Sequence, residues 1–134
     1  MTAIATCNKP KRILVVEDDP DIRRLIALQM RLCQHEPIEA ANGRIALQLV
    51  ENGQQFDLVI TDAAMPELDG FELTQALRSR PDWSDTPILM LTALDDYTAS
   101  GQAYQAGVNG FLSKPLDRSK FKAIVQSLLY QVTA

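Results

Sequence analysis

Short apolar runs of strand length alternate along the chain with stretches of helical period, the pattern of an α/β fold whose parallel strands are buried on both faces. The first run, Arg12–Val16, reads RILVV. It ends in Glu17-Asp18-Asp19-Pro20, where Asp19 suits an N-cap and Pro20 a first helical residue. A helix carrying Ile22, Leu25, Ile26, Leu32 and Cys33 is predicted to follow. The second strand falls near 37–41, and Pro37, which has no backbone donor, places it at a sheet edge. Asn42-Gly43 opens a helix with Ile45, Ala46, Leu49 and Val50 on one face, and Gly53 closes it. The third strand, 57–61, ends at Asp62, and a loop through Met65-Pro66 leads to a helix with Leu73, Ala76 and Leu77 inward. A polar connection over 78–86, which includes Trp83, precedes the fourth strand at 87–92. The fourth helix, Tyr97–Ala106, stops at Gly107, and Gly110–Ser113 is the fifth strand. Past Lys114-Pro115 the last helix aligns Phe121, Ile124, Val125, Leu128, Leu129 and Val132 in an amphipathic stripe.

Right-handed helical crossovers between parallel strands bring all their carboxyl ends to one edge of the sheet, where ligands of such folds bind. The polar residues at those ends are Glu17 and Asp18, then Asp62, Thr92 and Lys114. Two carboxylates about 5 Å apart repel by about 3 kcal/mol at an effective dielectric of 20, so three in one crevice need a cation or must take up protons. An all-oxygen donor set with room for water suits Mg²⁺, or Mn²⁺ in its place, far better than zinc. One carboxylate is then free to attack a phosphoryl group whose oxygens are held by the ion, Lys114 and the Thr92 hydroxyl. The pattern predicts a phosphoryl-accepting site.

Composition narrows the partners. The 134 residues, 46% of them apolar, suit one domain with a core that needs no disulfide or metal staple. That domain is expected over 11–130, between a flexible leader at 1–10 and a tail at 131–134. Thirteen basic against seventeen acidic side chains give a net charge of -4, which argues against a direct nucleic-acid partner. Cys7 and Cys33 read as free thiols of a reducing compartment. No apolar run approaches the ~18 residues of a membrane span, so a cytoplasmic protein is expected.

Taken in order, the acidic cluster after ILVV, the stretch Asp57-Leu58-Val59-Ile60-Thr61-Asp62 followed by Met65-Pro66 and Asp69-Gly70, then Leu91-Thr92-Ala93 and Lys114-Pro115, resemble the receiver domain of bacterial response regulators over about 11–129. The resemblance implies a doubly wound, flavodoxin-like (βα)5 sandwich with strand order 2-1-3-4-5. It implies Asp62 as the phosphoacceptor, charged by a phosphohistidine of a sensor histidine kinase or histidine phosphotransfer protein. Asp18, Asp62 and the main-chain carbonyl of Ala64 correspond to the metal ligands, with Glu17 acting through water. Lys114 corresponds to the cation that meets the phosphoryl oxygens, and its bond to Pro115 to a cis peptide. Thr92 and Phe111 correspond to a switch pair that alters the surface of helix 4, strand 5 and helix 5. Ala64 has no polar atom to orient an attacking water and Leu94 is expected to shield the acyl phosphate, so slow self-hydrolysis is expected. The chain ends just past the last helix, so output is expected through a separate effector protein, with a phosphorylation-dependent dimer left open.

Other readings compete. Glu17-Asp18-Asp19 alone would be a solvated cap more often than a metal site, and Asp69-Gly70 reads only as a turn and helix start. His35, the one histidine, lies away from the crevice and has no expected catalytic or metal role. A phosphorylation-independent protein-binding pseudo-receiver is the main alternative, though every residue the chemistry needs is present. A flavin or nucleotide domain would cradle phosphate with small residues and amides where this chain places three acids. A haloacid-type phosphohydrolase would want a second aspartate where Ala64 stands.

Overall fold

The computed structural model describes residues 10–93 and 97–130. The five apolar runs become β1 (Arg12–Val16), β2 (Glu36–Ala40), β3 (Leu58–Asp62), β4 (Ile88–Thr92) and β5 (Gly110–Ser113). They form one parallel sheet in the order β2-β1-β3-β4-β5. The helices between and after them are α1 (Pro20–Leu32), α2 (Gly43–Glu51), α3 (Gly70–Arg78), α4 (Tyr97–Ala106) and α5 (Arg118–Leu129). Pro37 lies on the edge strand, as its missing donor requires.

The strands read as unbroken apolar runs because both faces of the sheet are covered. Leu14, Val16 and Val59 point to the side packed by Ala46 and Val50 of α2, Leu73 and Leu77 of α3 and Ala103 of α4. Ile13, Val15, Leu58 and Ile60 point to the opposite side, against Ile26 and Met30 of α1 and Phe121, Val125 and Leu128 of α5. Side-chain oxygens cap the helix starts as the sequence indicates. Asp19 accepts from the amides of Asp21 and Ile22, Asn42 from that of Ile45, and Asp69 from that of Glu72 in a capping box. Gly53 takes the left-handed conformation, φ 89°, just past α2. The Lys114-Pro115 peptide is cis, as the resemblance implies.

Three features differ from what the sequence pattern suggests. On α1, Leu25 and Leu32 are 53% and 66% exposed, Cys33 caps the helix C-terminus, and the buried residues are Ile26, Ala27 and Met30. The leucines form a second stripe of helical spacing, turned away from the sheet. On α2, Ile45 is exposed, while Leu47 and Leu49 pack partly against the core. Trp83 sits in the connection between α3 and β4, as expected, yet is buried. A 3-10 turn, Pro81–Trp83, tucks it into the core at 1% exposure, with its ring centroid 6.2 Å from that of Phe56. Leu94, Cys7, Val132, the leader short of Pro10 and the tail at 131–134 lie outside the described residues.

The α1 correction is checked by Leu32→Gln, which should change the urea-unfolding free energy by no more than about 0.5 kcal/mol, as surface substitutions do. A loss in the range of about 2–5 kcal/mol, typical of a truncated core leucine, would put Leu32 back inside.

Candidate functional site

Register decides which strand ends meet. Val16 pairs with Thr61, and Asp62 pairs with Leu91, so β1, β3 and β4 finish nearly level and their next residues share one crevice. Glu17, the residue after β1, donates its amide to the Ala40 carbonyl at 3.2 Å. Its own carbonyl accepts from Arg23 at 2.9 Å, and Arg23 in turn pairs with Glu39 at 3.1 Å. The Glu17 side chain is thereby turned inward and is only 2% exposed. Asp18 stays at the surface. Asp62 is the last residue of β3 and is 7% exposed. One carboxylate oxygen each from Glu17, Asp18 and Asp62 lie within 4.8 Å of one another.

From the far side of the crevice Lys114 reaches in. Its Nζ is 2.8 Å from Glu17 Oε1 and 3.2 Å from Asp62 Oδ1. Its backbone amide donates to the Thr92 carbonyl at 2.7 Å, which ties the end of β5 to the end of β4. Thr92 is buried at 1% exposure. Phe111, on edge strand β5, is half-buried and packs against the core on the α2–α3 side. Ala64 is exposed at the start of the loop after β3. The sequence-derived set is therefore brought together, with Phe111 one strand away.

Charge is unevenly satisfied here. Burial pushes the Glu17 carboxyl up to about 6 from the usual 4.5, and the charge of Asp62 adds to the rise; the Lys114 ammonium and the Asp19 amide pull it back only in part. For Lys114, burial works against the charged form, but the hydrogen bond to Glu17 and the charge of Asp62 outweigh it and hold the ammonium above its ordinary pKa. Three acids on one amine leave the crevice short of positive charge. The donors are all oxygens and one of them is solvent-facing, so the residues fit a hard divalent ion that keeps several waters.

The Glu17 shift fixes a sign. Because the folded form binds its proton more tightly than the unfolded chain, Glu17 contributes stability below 4.5 that is lost as pH rises through about 6. Magnesium affinity should run the other way, strengthening between pH 5 and 7 as the carboxylate ionises. Calorimetric titration with MgCl₂ across that range checks this; a flat affinity would remove Glu17 from the ion's surroundings.

Two contributors have no obvious signature in the sequence. Arg23 holds the Glu17 backbone. Gly70, expected only to start a helix, sits so close to β3 that a Cβ there would lie 2.2 Å from the Asp62 carbonyl oxygen and 3.0 Å from Ala63 Cα. The available hint was a glycine in a first helical turn where no left-handed φ is needed, which points to close backbone approach.

Comparison with known proteins agrees with this geometry. Residues 13–126 match the family described as the response regulator receiver domain. The DNA-binding dual master transcriptional regulator RpaA of Synechocystis is 34% identical over 122 residues, covering 88% of this chain and 48% of that protein. The chain spans about half the length of the curated relatives it matches. Among solved structures, the chemotaxis response regulator CheY4 of Vibrio cholerae superposes with a TM-score of 0.84 at 30% identity, over 90% of this chain and all of that one. The receiver domain of the sensor histidine kinase PA1611 of Pseudomonas aeruginosa gives 0.82 at 30% identity, covering 90% and 98% of the two chains, and has a magnesium ion coordinated in its active site cleft.

Proposed function

We propose, from the premise that the chain belongs to the response regulator receiver domain family, that Asp62 accepts a phosphoryl group from a phosphohistidine of a sensor histidine kinase or histidine phosphotransfer protein. The observation that carries this reading is the three-carboxylate cluster with Lys114 Nζ 3.2 Å from Asp62 Oδ1. A free Asp62 oxygen attacks phosphorus in line, the Oδ–P bond forms, and the P–N bond to the donor imidazole breaks. Asp18, Asp62 and the main-chain carbonyl of Ala64 would hold Mg²⁺, or Mn²⁺ in its place, with Glu17 reaching it through water; the ion supplies charge neutralisation for the phosphoryl oxygens.

Lys114 is already drawn into the crevice by Glu17 and Asp62, so it needs only a short shift to meet those oxygens. Phosphorylation adds up to two negative charges beside it. The Thr92 hydroxyl follows the phosphoryl group, Phe111 turns into the space vacated, and the surface of α4, β5 and α5 changes by a population shift. The domain turns over no external substrate beyond its own phosphotransfer and dephosphorylation, and Ala64 offers no side-chain polar atom to speed the latter. Output passes through the changed surface, to an effector protein or through a phosphorylation-dependent dimer. The reading places the domain in the cytoplasm, where the kinase's phosphohistidine would meet it; separately, no described helix is long and apolar enough to cross a membrane.

Incubation with acetyl phosphate and MgCl₂ tests this reading. One phosphoryl group per chain, labile to hydroxylamine and mapped to the peptide containing Asp62, is expected. No adduct with either Mg²⁺ or Mn²⁺ would favour the phosphorylation-independent binding module.

A further inference from the structure

Of the three clustered acids, Asp18 is the one that faces solvent. An exposed carboxylate gains little from packing, so its position depends on the backbone that carries it. A single residue of α1 holds that backbone on both sides. The Arg23 guanidinium donates to the Glu17 carbonyl at 2.9 Å, on the peptide that joins Glu17 to Asp18. The Arg23 amide donates to the Asp19 carbonyl, also at 2.9 Å, one residue beyond Asp18. The Glu17 carboxylate is fixed separately. Its Oε1 accepts from Lys114 at 2.8 Å and its Oε2 from the Asp19 amide at 3.1 Å.

The guanidinium is itself braced. Its Nε lies 3.1 Å from Glu39 Oε1, and the two side chains are only 16% and 30% exposed, so the pair is largely withdrawn from bulk water. Glu39 precedes Ala40, whose carbonyl accepts from the Glu17 amide at 3.2 Å. The last two residues of edge strand β2 therefore hold the Glu17 backbone at both its polar groups, the amide directly and the carbonyl through Arg23. Arginine suits this task because its planar fork offers donors to a carbonyl and to a carboxylate at once, in a fixed relation. A lysine ammonium is a point charge on a flexible stem and fixes neither direction as well.

We propose that Arg23 is a positioning residue for the ion site: by fixing the Glu17–Asp18 peptide it sets the spacing of the two carboxylates, and with it the affinity for Mg²⁺. This role rests on the reading of the cluster as the Mg²⁺ site of a phosphoacceptor. Charge alone dictates the opposite effect. A fixed cation near the crevice repels an incoming cation, so its removal should tighten Mg²⁺ binding. Where the bond to the Glu17 carbonyl governs, the same removal loosens binding, by the tenfold to hundredfold, in order of magnitude about that, by which sites weaken when groups that orient metal ligands are lost.

Calorimetric titration of the full chain with MgCl₂ at pH 8, where Glu17 is ionised, reads that sign. Arg23→Gln should raise the dissociation constant by at least about tenfold. Arg23→Lys, which keeps the charge but not the fork, should raise it by about threefold or more. Arg24→Gln removes an equal charge from the next, exposed residue and should leave the constant unchanged or lower it. Timed labelling by acetyl phosphate should show the matching split, with Arg23→Gln needing more Mg²⁺ but reaching, at saturation, a rate within about threefold of the unsubstituted one. An unchanged or smaller dissociation constant in Arg23→Gln, or an equal rise in Arg24→Gln, would overturn the positioning role. Arg23→Lys decides alone should Arg23→Gln not fold, and an unchanged constant there overturns the role as well. An unsubstituted chain that binds Mg²⁺ but takes no phosphoryl group would fail the reading of Asp62 only, with the sign in Arg23→Gln still deciding the role of Arg23. An unsubstituted chain that binds no Mg²⁺ would overturn both.

Discussion

Asp62→Asn should leave the protein folded and reduce labelling by acetyl phosphate to background. The amide keeps the shape of the carboxylate but not its nucleophilic oxygen, and no acyl phosphate forms on it, so the loss should exceed about a hundredfold, the scale on which removal of a reacting group is felt. Folding is protected by opposing effects. Lys114 loses one of its two partners, the one at 3.2 Å, but keeps Glu17 at 2.8 Å. Glu17 loses the neighbouring charge that helps to raise its pKa, so its ionisation becomes easier. Thermal unfolding followed by circular dichroism should therefore shift by no more than the equivalent of about 1 kcal/mol. Labelling of the variant at the unsubstituted rate would move the nucleophile to Asp18 or Glu17, the other acids within 4.8 Å.

Much of this arrangement is legible in the chain because strand ends are written locally. Each apolar run stops at a charged, polar or turn residue, and Pro37 marks the edge by a missing donor alone. The order of strands came from resemblance to a family, not from periodicity. What local pattern leaves open is which stripe of a helix faces in. On α1, Ile22, Ile26 and Met30 have the spacing of a buried face, but so do Leu25, Leu28 and Leu32, and only the sheet's position decides between them. The burial of Trp83 was hidden for a related reason, since its neighbours in sequence are polar while its partner Phe56 lies on another segment. Lys114 is 97 residues from the glutamate it bonds, and no local signal reports such a contact. The Gly70 contact likewise exists only once β3 and α3 have docked.

Gly70→Ala should be the more damaging of two alanine substitutions that helix propensity alone would rank as favourable. Alanine is better than glycine in a helix by up to about 1 kcal/mol. At Gly101, in α4, nothing lies within 4 Å of the added Cβ, so Gly101→Ala should gain a fraction of that amount. At Gly70 the same methyl would meet the Asp62 carbonyl oxygen at 2.2 Å and the Asp62 carbonyl carbon at 3.1 Å. These are backbone atoms of a central strand, which cannot swing aside as a side-chain tip can. Either α3 moves outward, breaking the 2.9 Å bond from the Gly70 amide to the Ala63 carbonyl, or the end of β3 tilts. Overpacking of this kind costs about 1–3 kcal/mol, enough to reverse the propensity gain. Because the displaced strand end carries Asp62, the rate of labelling should fall by about tenfold to a hundredfold, the effect of misplacing a reacting group by about 1 Å. Urea unfolding of both variants, with timed labelling, separates the two consequences. A Gly70→Ala protein as stable as Gly101→Ala and labelled at the unsubstituted rate would show that β3 and α3 have slack that the close approach denies.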